Sequence, residues 1–170
     1  MRTKGDIALE KYELNVNGKD IVVDAEKNWT LLYVLREVLD LTGAKCGCNT
    51  GDCGACKVIM DGEAVNSCLV QIGKAVGKRI ETIEGLARGV NMHPIQHAFV
   101  ECGAVQCGYC TPGMIMSCKA LLDKNLSPTD EEIIQSISNN LCRCTGYVKI
   151  IDAIRMAAKM LREEKEGNAQ

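Results

Sequence analysis

The chain has 170 residues, 46% apolar and 25% charged, the balance of a globular protein with one domain or two small ones. A net charge of −2 excludes the basic surface that nucleic-acid phosphates require, and no run of about 18 apolar residues exists to span a membrane. Eleven cysteines stand beside one Trp, one Phe and four Tyr, and an odd count cannot close a disulfide framework.

The opening Met1-Arg2-Thr3-Lys4-Gly5-Asp6 leads into no apolar stretch of the signal-peptide kind, which points to a cytoplasmic protein. In that setting dense cysteine serves metal binding or redox chemistry rather than structural disulfides. Tyr12, Leu14 and Val16 then alternate with polar residues, Asn17-Gly18 offers a type I′ turn, and Ile21 and Val23 resume the alternation. Thr30 is placed to cap a helix whose apolar face is Leu31, Leu32, Val34, Leu35, Val38 and Leu39. A loop rich in Gly and Cys spans 43–56. Val58-Ile59-Met60 follows, with a turn at Asp61-Gly62 and a return through Ala64-Val65 toward Cys68. Two hairpins and a helix on a small sheet make a compact α+β unit.

The second half has a helical texture. The stretch 85–91, punctuated by Gly85 and Gly89, reads as a linker. One helix is expected from Pro94 to near Gly103. A second opens at Thr111-Pro112, with Ile115, Cys118, Leu121 and Leu122 on one face. A third opens at Ser127-Pro128-Thr129 and carries Ile133, Ile134 and Ile137. The last runs from about Tyr147 to Glu164 through Ile150, Ile151, Ile154, Ala158 and Leu161, its tail to Asn168 fraying into solvent. Four such faces are most simply buried against one another in a four-helix bundle.

Two cysteine constellations carry the chemistry. Cys48, Cys53 and Cys56, followed by Cys68, read C-x4-C-x2-C…C, the spacing of plant-type [2Fe–2S] proteins. A two-iron rhomb needs four thiolates spread wider than the tetrahedron around one zinc. A single loop supplies three of them if it bends sharply, which Gly47, Gly51 and Gly54 permit. The competing reading is a zinc site, which Cys53-Gly54-Ala55-Cys56 alone would serve. The second constellation is Gln106-Cys107-Gly108-Tyr109-Cys110-Thr111-Pro112-Gly113 with Cys142-Arg143-Cys144-Thr145-Gly146-Tyr147. Each pair precedes a helix, whose unpaired N–H groups and dipole favour thiolates. Spacing leaves a decoy, because Cys102, Cys107 and Cys110 also read C-x4-C-x2-C. The paired arrival of Cys142 and Cys144 favours the other set, and spacing does not decide between them.

Taken with Asn140-Leu141 ahead of Cys142, the three motifs resemble the small iron–sulfur subunit of the molybdenum hydroxylases, which include xanthine dehydrogenases, aldehyde oxidoreductases, carbon monoxide dehydrogenases and nicotinate hydroxylases. The likeness runs from about Tyr12 to Met160. It implies an α+β chain: a β-grasp, plant-type ferredoxin domain over 8–84, then a four-helix bundle domain over 91–165, each with a [2Fe-2S] cluster. By motif, Cys48, Cys53, Cys56 and Cys68 match the ligands of the first cluster, and Cys107, Cys110, Cys142 and Cys144 those of the second. Gln106 matches a glutamine that contacts the pterin. The resemblance further implies partners: a large molybdopterin-binding subunit that holds the substrate, and an FAD-binding subunit that receives the electrons. It implies no catalytic residue on this chain. A xanthine or other N-heterocycle dehydrogenase is the favoured holoenzyme; the rivals are a zinc-stabilised adaptor and a thiol–disulfide oxidoreductase.

The remaining residues have plainer expectations. Cys46, Cys102 and Cys118 are left as non-ligands, the last on an apolar helix face. His93 and His97 are four apart but lack a metalloprotease context, so packing or an interface is expected. Lys45 and Lys57 flank the first loop, where they either raise the potential of a formally dianionic cluster or are solvated surface charges. The charges Arg155, Lys159, Arg162 and Glu163 read as a solvated face. Two oxidised clusters in place of eight neutral thiols take the net charge from −2 to about −6.

Overall fold

A computed structural model describes residues 8–87 and 89–167. The opening six residues, Arg88 of the expected linker and Asn168 of the expected tail lie outside them. Strands β1 (Glu10–Val16) and β2 (Lys19–Ala25) pair antiparallel with Val16 opposite Lys19, so Asn17-Gly18 is a two-residue turn. Both turn residues have positive φ, +53° and +75°, as a type I′ turn demands. Strands β3 (Lys57–Met60) and β4 (Glu63–Asn66) repeat the device at Asp61-Gly62, φ +51° and +86°.

The periodicity did not indicate strand β5 (Arg79–Glu81), which joins the two hairpins. It runs parallel to β1 and antiparallel to β3, giving one mixed sheet in the order β2-β1-β5-β3-β4. Three residues with one apolar side chain, Ile80, carry too little pattern to be read in advance.

Helix α1 (Leu31–Tyr33) is capped by Thr30, whose Oγ1 accepts from the Tyr33 N–H at 3.2 Å. It then widens into a π-helical turn (Val34–Val38), closed by Leu39 N–H donating to Val34 O at 3.0 Å. The wider turn rotates the apolar face. Leu31, Leu32, Val34 and Leu35 are buried against the sheet, whereas Val38, expected on the same face, is exposed.

The helical half comprises α2 (Pro94–Glu101), α3 (Thr111–Leu122), α4 (Asp130–Ile137) and α5 (Val148–Gly167). Helix α2 packs on α5, and α3 packs on α4 while also lying against β3. That double contact explains why most of α3 is buried, Met114, Met116, Cys118 and Leu122 included. On β3, Val58 belongs to the sheet core and its neighbour Ile59 to the helical core, so the strand carries both. Leu86 of the expected linker is also buried in the helical core.

Three expectations need correction here. Ile134 is exposed, since an eight-residue helix with one buried stripe seats only Ile133 and Ile137. The tail does not fray at Glu164; it stays helical to Gly167, with Lys159 and Glu163 one turn apart at 3.8 Å. Arg155 and Arg162 are not merely solvated. Arg155 reaches Asp130 at the start of α4 with two bonds, 3.0 and 2.8 Å, and Arg162 donates to the Leu126 carbonyl, so both tie α5 to its neighbour.

Candidate metal centres

The loop carrying Cys48, Cys53 and Cys56 is held from both sides. Arg36 Nη1 donates to the carbonyls of Thr42 and Ala44 at 2.7 and 2.8 Å, and Asn66 Nδ2 to that of Gly51 at 2.6 Å. Cys56 lies just before β3. Cys68 sits on a short 3-10 turn (Ser67–Leu69) after β4, where Ser67 Oγ donates to the Cys56 carbonyl at 2.7 Å. Cys56 and Cys68 are buried, and Cys48 and Cys53 are half-buried. The hydroxyl of Thr50 and the backbone N–H groups of Cys53 and Thr50 lower the Cys48 pKa to about 6. Cys68 goes the other way, up to about 12, through burial, the neighbouring Cys56 sulfur and the charge at Cys48. Burial raises Cys53 too, with Cys48 and Cys56 adding to it. These four sulfurs sense one another, and a metal that neutralises them would hold all four deprotonated.

A cradle of this shape fits a cluster. A Cβ on Gly47 would lie 2.7 Å from the Cys53 sulfur, so the thiol occupies the space that a side chain would need. Gly54, at φ +68°, lets the loop pass within reach of the 139–140 backbone.

The second group forms at the other side of that contact. Cys110 is the N-cap residue of α3, directly before the expected opening at Thr111-Pro112, so its sulfur stands at the helix start. Cys142 and Cys144 lie in the turn before α5, which uses positive φ at Gly146 and Tyr147. The Tyr147 hydroxyl accepts from the Cys142 N–H at 2.8 Å and donates to Asn140 O at 3.2 Å, clamping the turn. Cys144 and Cys107 Sγ are 3.7 Å apart. Burial, then the Cys142 and Cys107 sulfurs, pushes Cys110 up to about 12. Burial also opposes the Cys142 thiolate, but the hydroxyl and N–H of Thr145, the Cys144 N–H and the Cys110 thiol together outweigh it and lower the pKa. Cys107, Cys144 and Gln106 are exposed, flanked by exposed Val105, Tyr109, Leu141 and Val148.

The other thiols stand apart. Cys102 ends α2 with its sulfur 3.8 Å from Met156 Sδ, among Asp152, Glu101 and Lys149 rather than other cysteines. Cys118 is fully buried in α3, and burial raises its pKa. Cys46 is exposed and its Sγ donates to Asn49 Oδ1 at 3.1 Å. His93 caps α2, its Nδ1 accepting from the Ile95 N–H at 3.3 Å, while His97 is exposed. Among the described residues no three His, Cys, Asp or Glu side chains close on a single-ion position.

The two groups meet across a seam that no pattern announced. Leu141 N–H donates to Cys53 O at 2.9 Å, and Asn140 Nδ2 to Gly54 O at 3.2 Å. Asn140 is 1% exposed, and its Oδ1 accepts from Ser117 Oγ at 2.8 Å. Tyr109 reaches over the same seam, its hydroxyl donating to Cys46 O at 2.6 Å. Lys57 is buried as well, not a surface lysine; burial lowers its pKa and the Cys56 sulfur opposes that.

Two family models match this chain: a 2Fe-2S iron-sulfur cluster binding domain over residues 14–83, and a [2Fe-2S] binding domain over 82–155. The nicotinate dehydrogenase small FeS subunit of Eubacterium barkeri is 52% identical over 146 residues, covering 86% of this chain and 93% of that protein. The xanthine dehydrogenase iron-sulfur-binding subunit of Escherichia coli is 43% identical over 144 residues, covering 84% and 90%. Among solved structures, quinoline 2-oxidoreductase from Pseudomonas putida 86 superposes with a TM-score of 0.87 at 41% identity, covering 91% of this chain and 97% of that one. The chain thus belongs to the small [2Fe-2S] iron–sulfur subunits of the molybdenum hydroxylases, the electron-transfer members of dehydrogenase and oxidoreductase complexes.

Proposed function

We propose that this chain relays electrons from a molybdopterin centre on a large subunit, through its helical half and then its sheet half, to FAD on a third subunit. Cys107, Cys110, Cys142 and Cys144 hold the first [2Fe-2S] cluster on this route, and Cys48, Cys53, Cys56 and Cys68 the second. The clusters supply one-electron redox chemistry when bound. The observation that carries the reading is the grouping of eight thiols into two facing sets, bridged by the 2.9 Å bond from Leu141 N–H to Cys53 O. Exposed Gln106 directly precedes Cys107, whose sulfur lies 3.7 Å from that of Cys144, and would offer an amide to the pterin of the docked large subunit. The chain divides into a β-grasp unit over 8–84 and a four-helix bundle over 91–165, supported by α1 packed on the five-stranded sheet and by the α2–α5 and α3–α4 contacts. Among the described residues no helix is long and apolar enough to cross a membrane, which suits a cytoplasmic complex. The higher identity to a nicotinate dehydrogenase subunit than to a xanthine dehydrogenase subunit, 52% against 43%, supports an N-heterocycle as substrate, nicotinate ahead of xanthine.

Cysteine variants test the relay. Cys142→Ser is expected to remove one of two [2Fe–2S] signals in electron paramagnetic resonance, taking iron from about four to about two per chain, while Cys102→Ser leaves both. The reverse pattern would reassign the ligand to Cys102. A colourless protein without acid-labile sulfide after anaerobic reconstitution would instead favour the zinc adaptor.

A further inference from the structure

Lys57 follows Cys56 directly, and the alternation of β3 turns its side chain away from the sheet core toward the helices. It is 8% exposed, rare for a lysine without a partner. It lines a crevice of about 660 Å³ between β3–β4 and α3–α4, together with Glu63, Ser117, Lys124, Glu132 and Ser136. Three carboxylates line it too, and none bonds Lys57: Glu63 pairs with Lys124, Glu132 accepts from Thr129 N–H and Asn125 Nδ2, and Glu131 is turned to solvent. Among the described residues Lys57 makes no ion pair, and of the ionisable groups it is the Cys56 sulfur, one residue away, whose charge acts on this buried cation. Lys45 differs, since its half-exposed amine donates to Thr42 O at 2.8 Å.

We infer that Lys57 is the buried counter-charge of the sheet-half cluster and raises its potential, favouring electron arrival at that end of the chain. Reduction adds one negative charge. A fixed cation nearby in a poorly solvated seam stabilises the reduced form more than the oxidised form. Lys57 touches no reacting atom; it tunes the site held by Cys48, Cys53, Cys56 and Cys68, and so rests on the ligand assignment proposed above.

Potentiometric titration of the assembled holoenzyme, followed by electron paramagnetic resonance, reads the two clusters separately. Lys57→Met is expected to lower the reduced-to-oxidised ratio of the sheet-half cluster about tenfold at the wild-type midpoint, or about 59 mV for one electron. Lys57→Arg keeps the charge and stays within about twofold of wild type, and Lys45→Met does the same. The helical-half cluster is unmoved in all three. An unshifted midpoint in fully loaded Lys57→Met, or an equal shift in Lys57→Arg, overturns the inference. If Lys57→Met retains no iron, Ser136→Asp carries the test by placing a carboxylate in the crevice and leaving the loop intact. An unchanged ratio there also overturns it. Loss of iron from wild type would count against the ligand assignment and not against Lys57.

Discussion

A methyl group is all that separates Gly47 from alanine, and the Cys53 sulfur already occupies its place, 2.7 Å from where a Cβ would sit. Gly47→Ala is therefore expected to displace Cys53 and deplete the sheet-half cluster, seen as loss of about half the iron with the helical-half resonance intact. Thiol environment separates the spare cysteines in the same way. Iodoacetamide on the loaded protein is expected to label exposed Cys46 and to spare Cys118, whose burial raises its pKa and bars the reagent; peptide mass mapping distinguishes them. At this scale the sequence was informative where chemistry repeats at short range. C-x4-C-x2-C and its interleaved glycines are local, so the candidate donors were legible. Lys57 was not, because nothing in Cys56-Lys57-Val58 says that α3 and α4 will close over the lysine.

Among the elements, those with strong local chemistry were the readable ones. Asn-Gly and Asp-Gly each closed a hairpin, and Thr30 capped α1. Thr129 caps α4 reciprocally with Glu132: Thr129 Oγ1 accepts from the Glu132 N–H at 3.3 Å, and Glu132 Oε2 from the Thr129 N–H at 2.7 Å. Thr129→Ala is expected to cost about 1 kcal/mol, measured as a lowered denaturation midpoint, while the spectra of both clusters stay unchanged. Strand β5 and the π-helical turn after α1 were illegible for the opposite reason. A three-residue strand exists only because β1 and β3 offer it edges on both sides, and the wide turn shifts which face is buried without altering the residues that compose it.

For the whole molecule, the seam between the two halves decides how the thiol groups face each other. Asn140 joins it to α3 through Ser117 and to the first loop through Gly54 O. Asn140→Ala would leave the Ser117 hydroxyl buried without its acceptor, a cost of about 1–3 kcal/mol, while the Gly54 carbonyl keeps the Lys57 N–H at 3.2 Å. Thermal unfolding of Asn140→Ala should show that loss, and Asn140→Ala with Ser117→Ala should cost less than the two single changes combined. The sequence by itself determined the donor chemistry, the order of a strand-rich then a helix-rich half, the hairpin turns and the caps at Thr30 and Thr129, because each depends on residues within about a helical turn of one another. Only the tertiary structure decided which sulfurs face one another, that Cys102 turns toward Met156, that Gln106 is exposed and that Lys57 is buried. Those outcomes depend on contacts such as Asn140 to Gly54, 86 residues apart, and no local pattern encodes where two distant segments meet.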